Sequence, residues 1–296
     1  MVECNICPHK CVVPEGSAGR CGAKENIDGE LISVSYGVVS SVALDPIEKK
    51  PLYHFKPGRP ILSIGGFGCN LACPFCQNHE IAISPVPFSP VPFSPVRKGT
   101  EEGTEKYPEI SAKKYAKKFT PAEIVAMAKD IPNNIGIAYT YNEPLINYEF
   151  LLDCAKLVKE AKLSNVLVTN GFINPEPMAD LLPYIDAMNI DLKGFTEEYY
   201  GRLGGDLKPV METIVQAVTY GCFVEVTTLI VPGENEDDVE PIAKWLGELN
   251  PDIPLHITRF FPRHICTNVP PTPVETIHKL CGIAREYLRY VYPGNV

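Results

Sequence analysis

Six short apolar segments, each followed by a longer amphipathic one, fill residues 59 to 296. The apolar segments are ILSIGG, IGIAYT, NVLVT, AMNIDL, CFVEVTTLIV and PLHITRF, whose length and β-branched content read as strands. Between them, TPAEIVAMAKD opens with Thr120 as N-cap, Pro121 at the first helical position and Glu123 at the third, a capping box. NYEFLLDCAKLVKEAK, PEPMADLLPYI, KPVMETIVQAVTYG, DDVEPIAKWLGEL and PVETIHKLCGIAREYLRYV supply the other helices, the last running on to Val291. Strands alternating with helices form a parallel sheet with right-handed crossovers. The count predicts an α/β fold, a partial (β/α)6 TIM-like barrel. In such an array the loops after the strand C-termini carry the chemistry.

Two further regions flank or interrupt this array. Residues 1–58 form an N-terminal cysteine-rich module with short strands, where Ile32, Val34, Tyr36 and Val38 alternate with smaller or polar residues. Residues 59–296 are the barrel. Residues 84–118 begin with two copies of VPFSP and continue into mixed charge, the composition of a flexible Pro-rich surface insertion. A proline-rich docking peptide is the sharper alternative.

The chain is 45% hydrophobic and 21% charged, which suits a soluble globular protein. Its net charge of −9 argues against a nucleic-acid partner, which needs a basic face. No apolar run has the roughly 18 residues of a membrane span. MVECNICPHK lacks the apolar core of a secretory signal, which predicts a cytoplasmic location. Thiols stay reduced there, so the eleven cysteines read as metal ligands before disulfides.

GCNLACPFCQNH, after the first strand, spaces Cys69, Cys73 and Cys76 as C-x3-C-x2-C. Three thiolates can hold a four-iron cube and leave one iron without a protein ligand, an open position that a catalytic centre needs. A small molecule chelating through an amine and a carboxylate would fill it, and S-adenosylmethionine (SAM) is such a molecule. With Phe75 directly before Cys76, the loop resembles the signature of the radical SAM superfamily, C-x3-C-x-aromatic-C. The resemblance implies a [4Fe-4S] cluster on Cys69, Cys73 and Cys76, Phe75 near the adenine, and oxygen sensitivity. A zinc site closed by His79 is the alternative.

It also implies a SAM-binding set at the other strand ends. Asn142 and Glu143 of TYNEP stand where the family holds the SAM ammonium, and Thr169 and Asn170 of VTNGF reach towards its methionyl end or ribose. Lys193 of NIDLKG would pair with the carboxylate and Asp191 with the ribose or a cation, while Val231 and Gly233 of VPGE would wall the adenine. One of His256, Arg259 and His264 would face SAM or substrate.

YNEP, VTNGF, DLKGFTEEYY and VPGENED are similar to the branch of pyruvate formate-lyase activating enzymes, although Val168 replaces the aspartate those activators carry before Thr-Asn-Gly. CNICPHKCVVPEGSAGRCGAKENIDGEL and DPIEKKPLYHFKPG resemble the radical SAM component of the AmmeMemoRadiSam system. The implied partners are a reductant such as ferredoxin or flavodoxin, and either AMMECR-like and Memo-like proteins or a glycyl-radical protein. A hydrogen atom would be abstracted from an unidentified small molecule or from a partner's glycine. A non-catalytic iron–sulfur or zinc protein, for electron transfer or scaffolding, is the rival from another class.

Cys4, Cys7, Cys11 and Cys21 form C-x2-C-x3-C-x9-C, enough ligands to close a site, with zinc and an auxiliary cluster both open and His9 a substitute ligand. Cys154, Cys222, Cys266 and Cys281 fall in helix or strand patterns as buried apolar residues.

Overall fold

The computed structural model describes residues 1–83 and 116–296. Two small hairpins open the chain, β1 (Val2–Glu3) with β2 (Val12–Val13) and β3 (Lys24–Ile27) with β4 (Glu30–Ser33). β5 (Val38–Val39) pairs with β8 (Lys117–Lys118), so the last residues assigned to the insertion are strand, while 84–115 lie outside the described residues.

The main sheet runs β14 (Val291–Gly294), β13 (Leu255–Arg259), β12 (Phe223–Ile230), β11 (Ala187–Asp191), β10 (Ser164–Thr169), β9 (Gly136–Tyr139), β7 (Pro60–Gly65) and β6 (Ser41–Pro46). All six expected strands are present, and every pairing from β7 to β14 is parallel. β6 and β14 end the sheet without pairing to each other, so the barrel stays open, as six units require.

Two strands go beyond the expectation. β6 joins β7 antiparallel as an edge strand, although its residues precede the alternating array. β14 begins at Val291, the residue on which the expected last helix ends, and that helix stops instead at Ala284. Leu288 and Val291 are both buried three apart, so the sequence keeps a helical stripe there. Pairing with β13 from Leu255↔Val291 to Thr258↔Gly294 wins over it.

The helices are α1 (His79–Ala82), α2 (Pro121–Asp130), α3 (Tyr148–Glu160), α4 (Pro175–Leu181), α5 (Glu197–Arg202), α6 (Leu207–Tyr220), α7 (Val239–Leu249) and α8 (Val274–Ala284). The capping box on α2 forms as expected, and Gly221 ends α6 at φ +89°.

Alternate residues of each strand enter different cores. Ile137, Leu167 and Met188 pack under the helices, whereas Ala138, Val166 and Ala187 face the concave side with Ile47 and Leu52. The segment before β7 therefore fills the bottom of the open barrel, and the strand C-termini are left for the site.

Candidate active site

The cysteine loop leaves the end of β7 and is tied on both sides. Gly66 N–H donates to Asn142 Oδ1 at 2.8 Å, and Asn142 Nδ2 donates to the Gly68 carbonyl at 3.1 Å. Ala72 N–H reaches the Leu203 carbonyl at 2.7 Å, and Ile265 and Cys266 both donate to the Pro74 carbonyl at 3.1 Å. Cys69 Sγ accepts from Leu71 N–H at 3.4 Å and from Asn170 Nδ2 at 3.6 Å. Cys76 likewise accepts from the backbone of Asn78.

Burial pushes the Cys69, Cys73 and Cys76 thiols above the ordinary thiol range, with Glu143 adding to the effect at Cys69 and Lys193 opposing it at Cys73. The three thiols share one loop without having closed on a centre: among the described residues, no three His, Cys, Asp or Glu side chains stand close enough to hold an ion as placed. The donor set fits an iron–sulfur group that lacks a fourth protein ligand, with backbone N–H groups already turned to two of the sulfurs.

Glu143 is the hub beneath the loop. It is 3% exposed and accepts from Thr169 Oγ1 at 2.7 Å, Asn170 N–H at 2.7 Å and Leu145 N–H at 3.0 Å. Burial outweighs these bonds and pushes its carboxyl up to about 7. A carboxylate has about four acceptor positions, so one remains for an incoming donor. Thr169 and Asn170 are engaged within the protein: Asn170 Nδ2 donates to Asn70 Oδ1 at 2.8 Å, and its Oδ1 accepts from Phe172 N–H at 2.9 Å. Asn142 is similarly engaged in the loop. Asn70, which the cysteine spacing does not single out, is 1% exposed and donates to the Phe172 carbonyl at 2.7 Å.

Opposite Glu143, Lys193 Nζ donates to Asp191 Oδ2 at 2.9 Å across the end of β11. Burial works against the ammonium, but Asp191 and Cys73 more than offset it and hold Lys193 well above its ordinary value. The two ends of an amino-acid zwitterion would thus meet opposite charges, with Lys193 for the carboxylate and Glu143 for the ammonium.

Phe75 and Val231 come together in one apolar cluster with Tyr199, Leu203 and Phe260, and Cys73 packs on its edge. The Tyr199 hydroxyl is buried there without a hydrogen-bond partner among the described residues. Nothing in TEEYY marks Tyr199, because apart from Leu203 its neighbours in the cluster are distant in sequence.

The remaining strand-end residues divide. His256 is 2% exposed and bonded to Glu225 Oε2 at 2.6 Å on the concave face. Arg259 Nε donates to the Thr272 carbonyl at 2.5 Å. His264 stacks on His79 with centroids 4.9 Å apart, and His79 Nδ1 lies 3.2 Å from the Cys76 carbonyl, so this pair borders the cysteine loop. Cys154, Cys222 and Cys281 are buried as expected, but Cys266 is half-exposed in the loop beside Pro74 rather than in a strand. Gly233 adopts φ +76°.

The family profile described as the radical SAM superfamily matches residues 63–246, more than half of the chain. An uncharacterized protein of Methanocaldococcus jannaschii is 42% identical, the match covering 100% of this chain and 81% of that one. The 4-hydroxyphenylacetate decarboxylase activating enzyme of Clostridium scatologenes is 25% identical over 115 residues, 38% of this chain and 37% of that protein. Among solved structures, a radical SAM methyltransferase from Sphaerobacter thermophilus superposes with a TM-score of 0.52 at 15% identity, covering 81% of this chain and 67% of that one. That likeness is one of fold.

Proposed function

This chain belongs to the radical SAM superfamily, and from that premise we propose that Cys69, Cys73 and Cys76 hold a [4Fe-4S] cluster used to cleave S-adenosylmethionine. When bound, the cluster would supply one electron for cleavage of the SAM C5′–S bond, giving methionine and a 5′-deoxyadenosyl radical able to take a hydrogen atom from the substrate and leave as 5′-deoxyadenosine. The electron comes from an external reductant of the ferredoxin or flavodoxin type.

The chain's own residues bind and orient. Glu143 offers its remaining acceptor position to the SAM ammonium, and Thr169 and Asn170 fix the carboxylate that does so. Lys193 meets the SAM carboxylate, and Asp191 stays beside it for the ribose or a cation. Phe75 and Val231 line an apolar wall for the adenine. The observation that carries this proposal is the three-thiol loop at the mouth of the barrel, flanked by an acceptor on one side and a cation on the other.

Anaerobically reconstituted protein, given dithionite and SAM, is expected to form 5′-deoxyadenosine, detected by mass spectrometry, and Cys73→Ala to form none. Four irons without cleavage would favour the electron carrier, and zinc in place of iron would overturn the assignment.

Tyr199 provides a separate check. Its unpartnered hydroxyl costs stability in the free protein, so Tyr199→Phe is expected to unfold no more easily than wild type. A hydroxyl that finds its partner in the adenosyl group would cost the variant about 5- to 10-fold in SAM affinity, measured by calorimetry on reconstituted protein. Equal affinity would show that the hydroxyl does not face SAM.

For the substrate, the N-terminal strings favour a small molecule handled together with AMMECR-like and Memo-like partners. The likeness to an activating enzyme supports a second reading, transfer of the radical to a glycine of a partner protein. Electron paramagnetic resonance distinguishes them, since only the second leaves a stable glycyl doublet on a candidate partner. No helix of the described residues is long and apolar enough to cross a membrane.

A further inference from the structure

We propose that Cys4, Cys7, Cys11 and Cys21 bind one zinc ion as four thiolates, and that this site braces the catalytic loop. The four residues, distant from the barrel mouth in sequence, line a single cavity together with His9 and Lys24. The β1–β2 hairpin brings Cys4 opposite Cys11, where Cys4 N–H donates to the Cys11 carbonyl at 2.9 Å. Cys7 sits in the hairpin turn, closed by Lys10 N–H on its carbonyl at 3.1 Å, and a second turn from Gly19 to Gly22 at 2.9 Å presents Cys21.

The backbone of the residue two further on, Ile6, His9 and Ala23, is turned to Cys4, Cys7 and Cys21, although burial outweighs it and holds these thiols above their ordinary range until a metal takes their protons. Cys69 and Cys76 of the catalytic loop show the same arrangement with Leu71 and Asn78. Such bonds stabilise the charged form and serve metal-bound sulfur. Lys24, 7% exposed at its side chain, lines the cavity as an ion pair with Glu149. As in the catalytic loop, the sulfurs have not converged on a centre as placed, and metal binding requires their side chains to turn inward.

The four cysteines open on one cavity and together supply a closed set of ligands with no open position. A single ion ligated by four cysteines is the structural zinc arrangement, and its binding releases the thiol protons.

The cavity wall is also the back of the catalytic loop. His9 Nε2 lies 2.7 Å from the Asn70 carbonyl, and the His9 ring packs edge-on to Phe172 with centroids 5.1 Å apart. Asn174 Nδ2 donates to the Asn5 carbonyl at 2.7 Å, and its N–H donates to that of Ile6 at 3.0 Å. The zinc would therefore fix the backbone on which Cys69 and Asn170 are held.

The test uses the full chain carrying Cys69→Ala, Cys73→Ala and Cys76→Ala, so that its outcome does not depend on the radical chemistry. Elemental analysis is expected to find about one zinc per chain. Cobalt substitution should give the intense ligand-field and sulfur-to-cobalt absorption of a tetrahedral thiolate site. Adding Cys7→Ser and Cys21→Ser should lower zinc content about tenfold or more. If that variant does not fold, the cobalt spectrum of its parent still decides. About four irons with inorganic sulfide after reconstitution, no bound metal, or a cobalt spectrum without sulfur ligation would each overturn the zinc assignment.

Discussion

Gly68→Ala is expected to lower the iron held by the cysteine loop severalfold while leaving every cysteine in place. Gly68 sits at φ +87°, a backbone state that costs an L-residue about 1 kcal/mol. An added Cβ would overlap the Cys21 carbonyl oxygen and lie 2.9 Å from Ile146 Cδ1. Neither neighbour can yield cheaply, since one is backbone of the cysteine-rich module and the other is 2% exposed. Strain and overpacking together predict a loss of about 3 kcal/mol, or a fall in melting temperature of about 5 °C or more. Relief requires the loop or the Cys21 backbone to shift, and a shift at Gly68 disturbs the neighbouring Cys69 and its contact with Asn170. Reconstituted iron should therefore fall severalfold. Gly29→Ala is the control: it has nearly the same φ, +83°, and nothing within 4 Å of the added atom. If the two variants melt together and hold equal iron, the close packing of module on loop has no role in holding the cluster.

This contact shows where sequence reasoning stops. The strands of the barrel are legible because each signal is local: apolar β-branched runs, a capping box at Thr120 and Glu123, and a glycine ending α6. The cysteine spacing is legible for the same reason. β14 is not, because its one buried residue, Val291, also continues a helical stripe from Leu288 and only the edge of β13, distant in sequence, decides between them. Glu225 reads as an ordinary polar position in a strand, yet it is fully buried against His256, whose side chain is thereby engaged on the concave face.

The same limit applies to the polar residues at the strand ends. TYNEP and VTNGF identify Glu143, Thr169 and Asn170, but not that Thr169 and Asn170 bind Glu143 before any ligand arrives. Asn142 takes part in the same scaffold through the loop backbone at Gly66, and Asn70, within the loop, through the Phe172 carbonyl and the Asn170 side chain. A site assembled this way is held by residues that need not touch the substrate. Their loss would lower affinity by disorder rather than by a missing contact.

Glu143→Gln is expected to lose less stability than wild type as pH rises from 5 to 8 in the cluster-free protein, and to bind SAM more weakly. Burial pushes the folded carboxyl from 4.5 up to about 7, so between those values the native protein keeps a proton that the unfolded chain has released. Stability must then fall as pH rises through this window and level off above it. A difference of that size corresponds to about 3 kcal/mol. Glutamine is close in shape and does not titrate, so it resembles the protonated residue at pH 5 and escapes the loss at pH 8. His9 and His264, both lowered by burial, give stability the opposite slope on the acid side. They are common to both proteins and cancel in the difference, which is what urea denaturation across pH 5 to 8 should measure. The amide also turns a donor towards Thr169 or the Asn170 N–H and removes the negative charge that meets an ammonium. Losing a charge-assisted buried bond costs about 1.5–3 kcal/mol, or about 10- to 100-fold in SAM affinity on reconstituted protein. Parallel stability curves would show that Glu143 is ionised in the folded protein across the whole range. Unchanged SAM binding would remove it from the ligand's path and leave it a structural hub alone.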